Sequence, residues 1–168
     1  MKVLITGGAG YIGSTIASAL EDNGHIPVIL DSLITGKREF VLNRIFYNGD
    51  ISDRKLLEKI FSEHNDIACT IHCAALIVVP ESVEHPYKYY KENVCKSLEF
   101  FKNLIDLDHT KIIFSSSASI YATSSKFQVD ENSPLAANCP YAMTKIIMES
   151  ILKDFCVALA RAVASYRQ

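Results

Sequence analysis

No two of the five cysteines (Cys69, Cys73, Cys95, Cys139 and Cys156) stand at the C-x-x-C spacing of a metal or redox motif. Their odd number and scatter point to reduced thiols and no metal site. Basic residues form no stripe either. The nearest approach is the dipeptide Lys37-Arg38 in a chain of net charge -2, which argues against a nucleic-acid partner. No apolar run approaches the roughly 20 residues that cross a bilayer. The N-terminus runs at once through Lys2-Val3-Leu4-Ile5-Thr6 into glycines, without the longer apolar stretch and small-residue cleavage site of a secretory signal. Repeats, linkers and low-complexity segments are also missing. These absences leave a cytoplasmic protein with no membrane partner. At 168 residues, 49% apolar and 21% charged, it has material for one domain with a sizeable core.

What is present alternates between apolar runs and helical periodicity, which predicts stacked βαβ units, a doubly wound parallel sheet and helices on both faces. Strands are expected at Val3-Thr6, Ile26-Leu30, Arg44-Tyr47, Ala68-Cys73 and Lys111-Ser115. Continuous runs such as Lys111-Phe114 suit strands covered on both faces. Helices are expected at Tyr11-Asn23, Arg54-Glu63, Val83-Leu107 and Tyr141-Ala160. Asn23-Gly24 would stop the first, and Asp53 would cap the second. Leu33-Glu39 and Ala122-Cys139 read as loops, the second long enough to be functional. A sixth strand is expected at Ala162-Tyr166.

Between the first strand and first helix lies Thr6-Gly7-Gly8-Ala9-Gly10-Tyr11-Ile12-Gly13. Gly8, Gly10 and Gly13 satisfy G-x-G-x-x-G, and Gly7, Gly10 and Gly13 satisfy G-x-x-G-x-x-G. Glycines allow a tight turn and close approach of the backbone to a pyrophosphate. The helix N-terminus then offers free N–H groups to the anion. Asp31 ends the next strand, 18 residues past Gly13. A carboxylate there accepts hydrogen bonds from a ribose diol and repels a 2′-phosphate, which favours NAD over NADP. Asp50-Ile51 could place a second acid near the adenine, or be an ordinary Asp before a helix.

Tyr141 and Lys145 stand four apart, on one face of the last predicted helix. An ammonium beside a phenol stabilises phenolate, and such a pair can serve as a general base near neutral pH. Tyr87 and Lys91 share the spacing, so position must separate the two pairs. Tyr141 follows a strand ending in Ser115-Ser116-Ser117, and chemistry in open α/β sheets occurs at the carboxyl ends of strands. Tyr87–Lys91 reads as an exposed helix pair. Ser117 is the candidate hydroxyl partner of Tyr141. A serine-rich turn satisfying backbone groups is the plain alternative for these serines.

Further blocks occur in order. They are Gly7-Gly8-Ala9-Gly10-Tyr11-Ile12-Gly13-Ser14, Asp31-Ser32-Leu33 with Thr35-Gly36-Lys37-Arg38, and Gly49-Asp50-Ile51. They continue with His72-Cys73-Ala74-Ala75, Pro80-Glu81-Ser82-Val83, Tyr89-Tyr90, Asn93-Val94, Phe114 to Tyr121, and Pro140-Tyr141. With these, the chain resembles the extended short-chain dehydrogenase/reductase family, and within it the UDP-glucose 4-epimerases, over nearly its whole length.

The resemblance implies a three-layer Rossmann fold and NAD-dependent epimerisation at C4 of a UDP-hexose through a 4-keto sugar, as in galactose metabolism. It implies that Tyr141 is the base for the 4′-hydroxyl. Lys145 would assist it and bond the nicotinamide ribose, while Ser117 would bond the 4′-oxygen. For NAD it implies contacts from Gly7, Gly10, Tyr11, Ile12 and Gly13, and from Asp31, Ser32, Thr35 and Gly36. Asp50, Ile51, Cys73, Ala74 and Ala75 follow, then Asn93, Ser115, Tyr141 and Lys145. It also implies a homodimer built on the two long helices, whose apolar residues include Leu98, Phe101, Ile105, Ile147 and Ile151.

Three positions depart from the family's pattern: Ser32 replaces a common Asn, Ile77 a Lys found in some members, and Glu92 an Asn that often touches the cofactor. Members run on for about as many residues again, so residues 1–168 are expected to be the NAD-binding domain carrying Ser117, Tyr141 and Lys145. The domain that holds the uridine nucleotide would be absent, as in a truncation.

Related 4,6-dehydratases carry an acidic pair after the catalytic hydroxyl, whereas Ala118-Ser119 stands here. Epimerisation of UDP-glucuronate or of a UDP-N-acetylhexosamine stays open, as does an NAD-binding module without turnover.

Overall fold

A computed structural model describes residues 1–122 and 128–165, with side chains as far as residue 160. Five parallel strands form one sheet in the order β3-β2-β1-β4-β5. They are β1 (Lys2–Thr6), β2 (Ile26–Asp31), β3 (Ile45–Asn48), β4 (Ile67–His72) and β5 (Ile112–Phe114). The reversal beside β1 is that of a doubly wound fold, and it brings the carboxyl ends of β1, β2 and β4 side by side.

The chain divides into two units. The first, Met1–Leu76 with Glu99–Ser115, holds the whole sheet. Alternation along the strands sends Val3, Ile5 and Ile29 to one face, where they pack with Ala9, Ala17 and Val41 around helix α1 (Tyr11–Asp22). Helix α2 (Arg54–Glu63) buries Leu57, Ile60 and Phe61. Phe61 stacks on His109, and Arg54 reaches Asn103 and Asp106 of helix α5 (Lys96–Asp106). From β4, His72 lies against Phe100 and Phe101 of α5. Asp53 caps α2 by accepting from the Leu56 N–H at 3.1 Å. The end of α1 closes through Gly24, at φ +73°, whose N–H donates to the Glu21 carbonyl.

The second unit, Ile77–Leu98 with Ser116–Gln168, is helical. It contains α3 (Val79–Glu84), α4 (Pro86–Tyr89), a π-helical turn (Tyr90–Cys95) leading into α5, a short 3₁₀ turn (Ala118–Ile120) and α6 (Pro140–Ser165). An antiparallel bridge between Tyr121 and Leu135 joins the ends of the long loop. Residues 123–127 of that loop lie outside the described residues.

Three expectations are corrected. The predicted helix Val83-Leu107 begins earlier, at Val79, and is broken at His85 (φ −128°, ψ 59°), because Pro86 bars the helical conformation from the residue before it. The predicted sixth strand at Ala162-Tyr166 is helical as far as Ser165, and Tyr166 lies outside the described residues. No glycine or proline interrupts the alanine-rich run from Ala158 to Ser165, which suits a helix better than a strand. Finally, Ile113 of β5 is 58% exposed, so among the described residues that strand is not covered on both faces.

Candidate active-site residues

In the sheet unit, β1 enters the glycine loop through Gly7 at φ +71°. A side chain on Gly7 would place Cβ 2.6 Å from the Ala74 nitrogen, so the turn after β4 (Cys73, Ala74, Ala75) lies directly against the loop. The Cys73 N–H also donates to the Thr6 carbonyl at 3.0 Å. Gly8 packs on Ile29, and a Cβ on Gly13 would stand 2.3 Å from the Gly7 carbonyl oxygen. Gly7 and Gly8 thus meet different neighbours, whereas Gly10 and Gly13 both face the Gly7 carbonyl oxygen. Gly10 is the N-cap of α1 and supplies no side-chain cap. The first turn carries no acid, and Tyr11 and Ile12 are exposed. This bare, glycine-walled helix start suits a pyrophosphate.

Asp31 is 8% exposed at the end of β2. Its Oδ2 accepts from the Ala9 N–H at 3.0 Å and its Oδ1 from the Leu33 N–H at 2.8 Å. Gly36 sits beside the same carboxylate, while Ser32 and Thr35 are exposed on the loop around it. The glycine loop and the expected ribose acid therefore form one assembly. Asp50 accepts from the backbone and hydroxyl of Ser52 through Oδ1, the turn-building arrangement, and Ile51 beside it is buried. Ser115 continues the β4–β5 pairing by donating its N–H to the His72 carbonyl at 3.0 Å.

In the helical unit, Tyr141 and Lys145 occupy the first turns of α6, 9% and 4% exposed, with the Lys145 Nζ 6.0 Å from the Tyr141 ring centroid. Cys139 precedes Pro140 and caps the helix. Its carbonyl accepts from Met143, and its Sγ from the Ala142 N–H at 3.4 Å. Between the pair, the wholly buried Thr144 donates to the Tyr141 carbonyl at 2.6 Å and accepts from Asn93 Nδ2 at 3.3 Å. Asn93 lies in the π-helical turn, a feature that recurs at functional sites. Ser117 caps the 3₁₀ turn, accepting from the Ser119 N–H at 3.2 Å with its Oγ 2.9 Å from the Ser119 Oγ. If the Ser119 hydroxyl donates in that pair, the Ser117 proton is still available. The Ser116 Oγ is buried without a hydrogen-bond partner among the described residues. The second Tyr–Lys match, Tyr87–Lys91, is exposed at both residues.

Residue patterns did not single out Thr144 or Cys139, and Tyr89 entered only within the Tyr89-Tyr90 block, without a role. Tyr89 is fully buried; its hydroxyl meets the Val78 backbone and Glu81, and burial with that carboxylate pushes its pKa up to about 12. Only a hydroxyl or thiol at a helix-start position hinted at the first two.

No helix among the described residues is long and apolar enough to cross a membrane, and no group of His, Cys, Asp and Glu among them could hold a metal.

Residues 3–167 match the family model described as the NAD dependent epimerase/dehydratase family. The UDP-glucose 4-epimerase of Yersinia enterocolitica is 41% identical over 167 residues, covering 94% of this chain and 49% of that protein. A structure of the UDP-glucose 4-epimerase of Bifidobacterium longum with NAD+ and UDP superposes with a TM-score of 0.87 at 34% identity, covering 94% of this chain and 50% of that one. The UDP-Glc/GlcNAc 4-epimerase of Campylobacter jejuni superposes at 0.83 and 33% identity, covering 94% and 49%. The chain thus spans about half the length of the curated relatives it matches. A 3-2-1-4-5 parallel sheet, a glycine loop joined to an acid at the end of β2, and a match running over residues 3–167 lead to one assignment: the chain belongs to the NAD dependent epimerase/dehydratase family.

Proposed function

We propose that residues 1–168 are the NAD-binding, catalytic-residue-bearing domain of a UDP-hexose 4-epimerase acting on UDP-glucose and UDP-galactose. The observation that carries this reading is the buried Tyr141–Lys145 pair, kept in a chain similar over 94% of its length to an enzyme named UDP-glucose 4-epimerase. NAD, when bound, supplies the acceptor and then the donor of the C4 hydride. The bare start of α1 and the Gly7–Gly13 loop would hold the pyrophosphate, and Asp31 would hold the adenine ribose. Tyr141 would take the proton of the 4-hydroxyl when C4 is oxidised and return a proton to that oxygen when C4 is reduced. Oxidation and reduction therefore cancel. Lys145 offsets the charge Tyr141 gains, and Ser117 holds the 4-oxygen.

Epimerisation of UDP-N-acetylhexosamines is the second reading, favoured by the likeness to the Campylobacter jejuni enzyme. Exposed Leu98, Met143 and Val157 on α5 and α6 fit a homodimer, which light scattering over a range of concentrations tests. Of the apolar residues expected there, Phe101 is buried against His72 instead. Five cysteines that form no disulfide with one another fit a cytoplasmic setting.

The functional test is conversion of UDP-galactose to UDP-glucose by the chain with NAD, alone and with the C-terminal half of the Yersinia enterocolitica enzyme added. We expect conversion in at least one arm, abolished by Tyr141→Phe with NAD binding intact. No conversion in either arm refutes epimerisation.

A further inference from the structure

Two residues bring their backbone close to the Asp31 carboxylate, and one of them, Leu33, also packs its side chain against the core around α1. Leu33 has φ +58°, the left-handed region that costs a non-glycine residue roughly 1–2 kcal/mol. That backbone turn is what brings its N–H to within 2.8 Å of Asp31 Oδ1. Gly36 approaches from the other side of the loop. A Cβ there would stand 2.9 Å from the same Oδ1 and 2.7 Å from the Ala9 Cβ. Ala9 in turn donates to Asp31 Oδ2 at 3.0 Å, and its carbonyl accepts from the Lys37 N–H at 2.9 Å. The carboxylate is therefore held by two neutral backbone donors, one on each oxygen. The second lone pair of each oxygen is left to accept from another group.

We propose that Leu33 and Gly36 are positioning residues for cofactor choice: together they fix the Asp31 carboxylate in the orientation that accepts an unphosphorylated ribose diol. The inference rests on the NAD reading above, adds Leu33 to it and gives Gly36 a role through its missing side chain. Leu33 acts through its strained backbone N–H, and Gly36 through the lack of a side chain where one would displace the acid. A carboxylate so restrained cannot swing away from a 2′-phosphate, so like-charge repulsion stays fully expressed. A free carboxylate would rotate to relieve it.

The test uses two substitutions at Leu33 that separate backbone from packing. Asn tolerates the left-handed conformation but sacrifices the apolar side chain, whereas Val keeps apolar character but resists positive φ. NAD and NADP binding are measured by calorimetry for the unmodified chain, Leu33→Asn, Leu33→Val and Gly36→Ala, with thermal melting alongside. The unmodified chain is expected to prefer NAD. Leu33→Val and Gly36→Ala should each weaken NAD about tenfold, the size of one lost hydrogen bond, and leave NADP nearly unchanged, so that the preference narrows. Leu33→Asn should keep the preference even if it melts lower. A preference kept by Leu33→Val and lost by Leu33→Asn assigns Leu33 to packing and overturns the proposal, as does an unchanged ratio in Gly36→Ala. An unmodified chain that binds NADP as tightly as NAD, or neither, refutes the NAD reading itself and this inference with it.

Discussion

Replacing Tyr89 with Phe keeps a wholly buried ring and removes only a hydroxyl, which makes the cost unusually easy to assign. That hydroxyl accepts from the Val78 N–H at 2.9 Å and lies 2.7 Å from the Val78 carbonyl and 2.8 Å from Glu81 Oε2. Val78 is 52% exposed, so its freed backbone groups find water. The loss is then one of exchange: one bond accepted from the Val78 N–H and one proton shared between the Val78 carbonyl and Glu81, about 1 kcal/mol each and about 2 kcal/mol together. In a domain of this size that lowers the melting temperature by roughly 4–8 °C. The difference should also depend on pH. The Tyr89 pKa is raised from 10.0 to about 12, by burial first and by Glu81 second, so its contribution is complete below pH 10 and vanishes as pH rises to about 12. The Glu81 pKa is lowered from 4.5, by Lys88 first and Tyr89 second, so its share is complete above 4.5 and lost as pH falls through the lowered value. Tyr47, also raised to about 12, behaves alike in both proteins and drops out of the difference. Urea unfolding followed by circular dichroism from pH 4 to 12 should show a plateau with two falling edges. Coincident curves near neutrality, or a gap that persists undiminished at pH 12, would refute the reasoning.

Gly7→Ala meets both a left-handed backbone and the Ala74 nitrogen at 2.6 Å. It should cost about 2 kcal/mol or more in chemical unfolding and remove detectable NAD binding in calorimetry. Cys139→Ser replaces a weak sulfur acceptor at 3.4 Å from the Ala142 N–H with an oxygen, and should raise stability by roughly 0.5–1 kcal/mol, read as a higher urea midpoint. An unchanged midpoint would mean that the thiol already caps α6 fully.

Local chemistry was enough for much of this protein. The glycines, strand-length apolar runs and Asp53 specify β1, α1 and α2 with little help from the rest of the chain, because turn sterics, β-branching and capping act over a few residues. Asp31 and the Tyr141–Lys145 spacing were legible for the same reason: one ends a strand, and the other spans a single helical turn. Tertiary structure decided the rest. Ile113 of β5 is exposed although its sequence reads as buried, since apolar patterning reports what a strand tolerates and not what packs over its faces. The partners of Tyr89, the link from Asn93 to Thr144, and the closure of Leu33 and Gly36 around Asp31 join groups set by backbone path and not by residue type. The left-handed turn at Leu33 is the clearest case. No rule of propensity puts leucine there, and it persists because contacts on both sides of Asp31 outweigh its local cost.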